Sequence, residues 1–421
     1  MKKTTKHGKN PILHGVLSII TPVNLVILGY WAFSDFETQK KRMNILFGVS
    51  SVGLGHVRRS LAIARQLEEK TGAKIEFVGA EPALSFFKKE NKRILSVSYR
   101  LNSLSEVLEK YEKNGIIKNR TLLFRDLLNT IHKNYFKIQG VIKEENFDLI
   151  VGDEWWEIFD YLGKKRRIPV VFITDIVIKF PNLLGFLMDW WVKKSYERCD
   201  KRVFIGFPED IPPQRWYGVG ENLREWATRL FTFSGPIVDF NPAWDKKQLK
   251  SKLGYKEDKK LVIGTIGGTR IGKDLLEKLS RSYSLLREHN IQLVLVCGPR
   301  IDPAEIKVHP EIKKYGYVHN LDEHLSIADC VISQTGLSTL EEIAWLNIPS
   351  IIAPIGKHYE QLNLARRFQK RENITVVPRS IKPRRLAEMI LDKVNQPRQP
   401  DQVLPTELTQ GAEIAARAIL N

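Results

Sequence analysis

The residues of this chain that could do chemistry fall into two groups. One is carried by a single stretch, Ser333–Gln361, which holds Thr335, Gly336, Ser338, Glu342, His358, Glu360 and Gln361. The other is the tetrapeptide Gly53-Leu54-Gly55-His56. Small and hydroxyl residues where a loop enters a helix suit a phosphate, because the helix dipole and its unpaired N–H groups point at the anion. A glutamate one or two turns on, as Glu342 is, is placed to hold ribose hydroxyls. The first group therefore describes a nucleotide site. In the second, His56 stands at a helix start with an imidazole that titrates near working pH, which suits a general base.

Each group needs a strand that ends beside it. The apolar run Cys330–Ile332 precedes Ser333, and Leu340, Ile343 and Ala344 mark a short helix. Ser350–Ala353 is a second buried strand, and Pro354–Gln361 a loop. This strand–loop–helix–strand–loop unit delivers its polar residues to one sheet edge, beyond the carboxyl ends of the strands, where open α/β sheets bind ligands. The second group follows a strand at Asn44–Val49 and opens a helix from about Val57 to Lys70. It lacks the third glycine of the dinucleotide fingerprint and any Walker lysine. Taken alone, its glycines fit tight strand-to-helix packing equally well. A second turn of the same kind, Gly267-Gly268-Thr269-Arg270-Ile271-Gly272, lies between a strand at Leu261–Ile266 and a helix from Lys273.

Alternation of β and α extends through the chain. Further strands are expected at 74–78, 93–97, 147–151, 169–173, 202–204, 291–297, 312–318 and 374–377. Helices are expected at 81–90, across a long amphipathic zone at 101–145, and at 383–394 and 411–420. Alternation of this type implies parallel sheets. Asp153, Glu154 and Asp175 follow strands and face the cleft in such an architecture, which makes them base candidates beside His56, with Asp153 next in order. Singly, each reads first as a helix cap or loop ion pair.

At 421 residues the chain calls for two domains, and 43% hydrophobic with 27% charged residues is the composition of a folded protein. Three scattered cysteines (Cys199, Cys297, Cys330) make neither a disulfide framework nor a metal box and read as small core residues. The net charge of +18 favours an anionic partner, a membrane surface or phosphorylated substrates. Nucleic acid is the weakest of the three anionic partners and is not expected, since there is no zinc finger, RNA-binding aromatic signature or long Lys/Arg tract, and a plain solvated basic surface is the alternative. Residues 1–42 stand apart. Lysines 2, 3, 6 and 9 precede the uncharged run Pro11–Ser34, which reads as a membrane anchor, with an interfacial segment or an extension outside the enzyme as the alternatives. Leu183–Trp191 and its basic flank fit an interfacial helix or a buried one, and Arg120–Lys137 could serve the same lipid surface.

The segment TGLSTLEEIAWLNIPSIIAPIGKHYEQLNLA, residues 335–365, resembles the donor-binding segment of the GT-B glycosyltransferases. It is most similar to family 28, the group of the lipid-linked GlcNAc transferase of peptidoglycan synthesis and the plant galactolipid synthases. Gly53-Leu54-Gly55-His56 matches the first-strand motif of many GT-B enzymes. The resemblance covers roughly residues 43–395. It implies two Rossmann-like domains whose parallel sheets face each other across a cleft, 43–235 for the acceptor and 236–395 for the donor. A linker and a helix at 396–421 follow, the helix crossing back to the first domain.

It implies transfer of a sugar from a nucleotide donor, UDP by preference, to a hydroxyl acceptor, lipid-linked in well-known members, at the cytoplasmic side of a membrane. By the same resemblance, Gly267, Gly268 and Thr269 approach the diphosphate, with Arg270 or Lys273 adding charge, and the loop 335–338 touches phosphate. Glu342 contacts the ribose, Glu360 and Gln361 the sugar, and backbone near Val318 the base. Gly53, Gly55 and His56 line the cleft on the acceptor side. Helix dipoles stand in for a metal, so neither metal nor cofactor is expected, and there is no Asp-x-Asp motif. Two departures bear on donor identity: Pro236 is followed by Ile237-Val238-Asp239 where the family often has arginine, and Lys357-His358 occupies the sugar loop. A nucleotide-sugar 2-epimerase of the same fold, for which His309, His319 and His324 are unassigned, and a non-catalytic membrane-docking subunit are the alternatives.

Overall fold

Apolar runs too short for helices and flanked by glycine or acid form the strands of two parallel sheets. The computed structural model describes residues 42–162, 168–178, 185–216, 220–238, 245–396 and 410–421. The proposed anchor at 11–34, part of the 183–191 segment and most of the 396–410 linker lie outside the described residues. Among the described residues no helix is long and apolar enough to cross a membrane.

The first half runs β1 (Asn44–Val49), α1 (Gly55–Thr71), β2 (Lys74–Val78), α2 (Ala83–Lys89), α3 (Leu104–Lys110), a hairpin of β3 (Glu112–Lys113) and β4 (Ile116–Ile117), and α4 (Arg120–Glu144). It continues with β5 (Leu149–Asp153), α5 (Ile158–Leu162), β6 (Val170–Thr174), α6 (Gly185–Arg198), β7 (Lys201–Ile205), α7 (Leu223–Leu230) and β8 (Thr232–Gly235). Its main sheet has the order β2-β1-β5-β6-β7-β8, parallel throughout.

The second half runs α8 (Lys246–Lys252), β9 (Lys260–Thr265), α9 (Lys273–Leu286), β10 (Ile291–Val296), β11 (Lys313–Tyr315), α10 (Leu321–Ser326) and β12 (Cys330–Ser333). There follow α11 (Leu337–Trp345), β13 (Ser350–Ile352), α12 (Tyr359–Phe368), β14 (Ile374–Val376) and α13 (Pro383–Val394). Its sheet, β11-β10-β9-β12-β13-β14, is also parallel. This is the doubly wound order, with the switch point between β9 and β12. The glycine turns after β1 and β9 and the loop after β12 all leave the carboxyl ends of central strands. The central strands are buried on both faces, as sheets covered by helices require: Ile45, Leu46 and Phe47 of β1 and Leu261, Val262 and Ile263 of β9 have no exposed surface.

Residues 411–420 form α14, which packs against α1, β7 and β8 of the first sheet, so the chain does return to its first half. Ala415, Ala416 and Ile419 are buried there, and Lys70 pairs with Glu413 at 2.9 Å. All three cysteines are buried and free, and burial pushes the Cys330 thiol up to about 12.

Two expectations need correction. Residues 93–97 do not make a strand: Ile94 forms one bridge to Phe77, and the chain then coils into a 3-10 turn at Ser96–Arg100. The zone 101–145 is two helices, because Asn114 and Gly115 both take positive φ (53° and 73°) and fold the intervening residues into a two-residue hairpin. Asn-Gly is the dipeptide that such a turn prefers.

Gly48, in mid-β1, leaves room for Trp155: a Cβ there would stand 2.0 Å from the indole ring. Gly48→Ala is expected to destabilise the protein by about 3 kcal/mol, the upper end for overpacking. Urea unfolding should show a lower midpoint with an unchanged slope.

Candidate functional site

The glycine turn after β1 and the turn after β9 meet. A Cβ on Gly268 would lie 2.8 Å from the Leu54 nitrogen and 2.9 Å from its Cγ. One on Gly55 would lie 2.8 Å from Ser338 Oγ. Gly53 (φ 76°) and Gly267 (φ 71°) sit in the left-handed region that favours glycine. Between the turns is a cavity of ≈ 160 Å³. It gathers Gly53, Gly55 and His56 from one half with Gly267, Gly268, Thr269 and Val318 from the other. Thr335, Gly336, Ser338 and Glu342 line it, as do His358, Glu360 and Gln361.

Two helix starts open into this cavity, α1 and α11. Neither has a side-chain cap and neither has an acid in its first turn. Their leading N–H groups and positive dipole ends therefore face the cleft uncompensated, the condition under which a helix start binds an anion. Three polar atoms among the lining residues also lack a hydrogen-bond partner although buried: Thr269 Oγ1, Gln334 Oε1 and Asp175 Oδ1. Buried polar atoms are normally paired, so these point to a missing ligand or water.

Glu342 is buried, and its Oε1 accepts from Arg58 Nη1 at 2.6 Å. Burial raises its pKa, Arg58 opposes the rise, and Asp322 reinforces it. Gln361 ties the sugar loop together: its Oε1 accepts from Thr335 Oγ1 and from the Ile355 amide, both at 2.9 Å. His358 caps α12, its Nδ1 accepting from the Gln361 amide at 3.5 Å, and burial pushes its pKa down to about 4. Glu360 is pushed up to about 8 by burial and by Asp175, against the pull of Arg59.

Arg59 organises the acceptor side. Its Nε donates to Asp153 Oδ2 at 2.8 Å, Nη2 to Asp153 Oδ1 at 2.5 Å, and Nη1 to Asp175 Oδ2 at 2.5 Å. Four acids (Asp153, Glu154, Asp175, Glu360) stand around one guanidinium, so they cannot all ionise. Burial opposes ionisation of Asp153 and Asp175, but Arg59 overrides it and holds both below the usual range. Glu154 is raised by burial and by Asp175; its Oε1 accepts from Thr174 Oγ1 at 2.8 Å.

The structure does not bring Asp153 into the cavity. Asp153 is wholly buried and takes a further hydrogen bond from Ser60 Oγ at 2.8 Å. What it can do is orient His56, whose Nδ1 is 3.4 Å from Asp153 Oδ1. Arg59 Nη2 contests that nitrogen at 2.8 Å. When Nδ1–H donates to Asp153, the Nε2 lone pair is available to take a proton. Arg270 and Lys273 are also corrected: both pair with Glu305, at 2.6 and 3.1 Å, and neither lines the cavity. The three unassigned histidines do not converge. His324 packs on Tyr255, His309 stands by Glu311, and only His319 reaches the cleft.

Residues that sequence reasoning passed over are Arg58, Arg59, Gly298 and Tyr317. The Arg58-Arg59 doublet directly after His56 was a visible signal, since a cation in the first turn of a helix opposes the dipole and needs a reason. Gly298 has φ 75°, and a Cβ there would stand 2.1 Å from the Gly267 carbonyl oxygen, so it supports the glycine turn from behind.

Comparison with known proteins agrees with this geometry. Residues 262–417 match the glycosyltransferase family 28 C-terminal domain. An uncharacterized glycosyltransferase of Methanosarcina mazei is 24% identical over 378 residues, 86% of this chain and 92% of that protein. One from Methanopyrus kandleri is 27% identical over 330 residues, 76% of this chain and 90% of its own. A UDP-N-acetylglucosamine–N-acetylmuramyl-(pentapeptide) pyrophosphoryl-undecaprenol N-acetylglucosamine transferase of Thermoanaerobacter sp. is 21% identical, over 76% of this chain and 82% of that enzyme. Among solved structures, the glycotransferase of kitacinnamycin superposes with a TM-score of 0.59 at 14% identity, covering 90% of this chain and 98% of its own. The calicheamicin glycosyltransferase CalG4 gives 0.58 at 14%, covering 90% and 97%. The fold is that of the GT-B glycosyltransferases, and the match of residues 262–417 supports glycosyltransferase as the enzyme class. Within that class, residues 262–417 are similar to the C-terminal domain of glycosyltransferase family 28.

Arg59→Met would leave Asp153 and Asp175 without their cation. A loss of about 3–5 kcal/mol is expected at pH 8, as for other broken buried pairs. In the wild type these two acids titrate below their unfolded values, whereas in the variant burial would lift them above. The deficit should therefore shrink as pH falls from 8 to 5 and protonation becomes cheap. Urea unfolding of both proteins at the two pH values checks this.

Proposed function

We propose that this glycosyltransferase uses a UDP-sugar and a hydroxyl acceptor. The observation that carries the reading is the arrangement of two uncapped helix starts and Glu342 around one cavity. Diphosphate would lie against the Gly267–Thr269 turn and the amides of residues 335–338, ribose hydroxyls on Glu342, and the sugar by Glu360 and Gln361. The base would rest near Val318, against backbone. The name of the Thermoanaerobacter relative supports UDP as the carrier and a lipid-linked acceptor. The positive charge of the chain suits an anionic membrane surface on the cytoplasmic side, where such donors are found.

His56 is the proposed base: its Nε2 is free to take a proton when Nδ1–H turns to Asp153 in place of the contact with Arg59 Nη2. As the acceptor hydroxyl attacks the anomeric carbon, its proton passes to Nε2 and the bond to the diphosphate breaks. The developing charge on the diphosphate oxygen meets the amides and dipole of α11, preorganised donors of the kind that stabilise leaving anions. No step in this scheme calls for a metal ion. Glu360 retains its proton at neutral pH, so it can donate to a sugar hydroxyl as well as accept.

The test is binding and turnover with UDP-, GDP-, ADP- and dTDP-sugars. One UDP-sugar should bind saturably, and Glu342→Ala should abolish binding. His56→Asn should lower kcat by about 10²–10⁴-fold, the range for a lost general base, while donor affinity stays within a few-fold. Binding of none of these donors would defeat the proposal.

A further inference from the structure

Arg58 stands in the first turn of α1, in the half of the molecule opposite to the nucleotide site. Its guanidinium nevertheless reaches across the cleft to two acids of the second half, Glu342 Oε1 at 2.6 Å and Asp322 Oδ1 at 3.3 Å. The Glu342 side chain keeps only 6% of its surface, and that of Asp322 14%. Two neighbouring carboxylates in so dry a place repel, and water cannot compensate them. Arg58 is the cation that stands between these two carboxylates and pairs with both. A guanidinium also fixes direction, because its planar fork offers several donors at set angles. With Oε1 so engaged, no described residue donates to Glu342 Oε2, and the residue lines the cavity.

We propose that Arg58 is a positioning residue of the nucleotide site, supplied by the acceptor-side domain, which keeps Glu342 charged and aimed at the ribose hydroxyls. The proposal rests on the reading of Glu342 as the ribose residue. A charged carboxylate accepts from both hydroxyls of a ribose; a protonated one must spend an oxygen on its own hydrogen. Ribose recognition thus becomes a property of the assembled cleft and not of the second domain alone. Burial and Asp322 already favour the protonated form of Glu342, and Arg58 is the group that opposes them.

The experiment is calorimetric binding of UDP, or the diphosphate selected by the donor panel, and of its 2′-deoxy counterpart to the full chain between pH 6.5 and 9. The wild type should prefer the ribonucleotide throughout. Arg58→Ala should bind it about ten-fold more weakly at pH 6.5, the scale of one hydrogen bond to a charged group. Its preference over the deoxy form should fall to within two-fold at that pH. Both should recover as pH rises towards 9, which favours the ionised carboxylate. Arg58→Gln, which keeps neutral donors and guards against a folding defect in the alanine variant, should show the same pH dependence. Arg58→Lys should retain most of the preference at pH 6.5. If Arg58→Ala keeps its preference at pH 6.5, or loses affinity equally at every pH, the inference is overturned. In that case Glu342→Ala would still abolish wild-type discrimination and the donor reading would stand. Wild-type protein that binds no nucleoside diphosphate overturns both.

Discussion

The two glycine turns touch, and no side chain can stand between them. Gly268 lies against the Leu54 backbone and Gly55 against Ser338, with no space for even a methyl group at either contact. The turn after β1 starts α1, and Ser338, which meets Gly55, lies in the first turn of α11, so the contact brings two positive helix ends to the same small volume. An arrangement like this would be costly without an anion to neutralise it. It makes sense as a preorganised receptor for an anion. Around it the halves are held by complementary contacts: Arg300 with Glu109 at 2.8 Å, Arg367 with Asp210 at 2.7 Å, and a bridge between Ile116 and Gly356. A small apolar cluster of Leu108, Ile117 and Leu123 with Ile271 and Ile355 fills the seam.

The charges follow a division of labour. Arg58 and Arg59 are sequence neighbours whose side chains leave α1 in different directions. One reaches Glu342 of the second half, the other Asp153 and Asp175 of the first. The acceptor side holds more acid than base, which sorts its carboxyls into ionised and protonated members according to their distance from Arg59. His56 stands among them, its Nδ1 3.4 Å from Asp153 Oδ1 and 2.8 Å from Arg59 Nη2.

Much of this was legible in the residues. Parallel sheets followed from the alternation of apolar runs and helices, and the cleft residues followed from glycine turns and from the ordered segment at 335–365. Strands were easiest where they are buried on both faces, as in β1, β9 and β12, because burial enforces an unbroken apolar run. What could not be read were matters of direction and partnership. Asp153 looks like any acid at a strand end, and only the structure shows it enclosed by Arg59 and Ser60, away from the cavity. Arg270 lies within the glycine turn, yet Glu305, distant in sequence, draws it away. The hairpin at Asn114-Gly115 was readable, but the helical periodicity on both sides concealed it.

The return of α14 to the first sheet bears on how the chain is made. The first domain cannot be completed from its own contiguous residues: β7, β8 and α1 need Ala415, Ala416 and Ile419 to cover them. During synthesis that face remains bare while the whole second domain is translated. Domains usually fold in the order in which they leave the ribosome. Here the earlier one must wait, with an apolar surface open to chaperones or to wrong partners, until its final helix emerges.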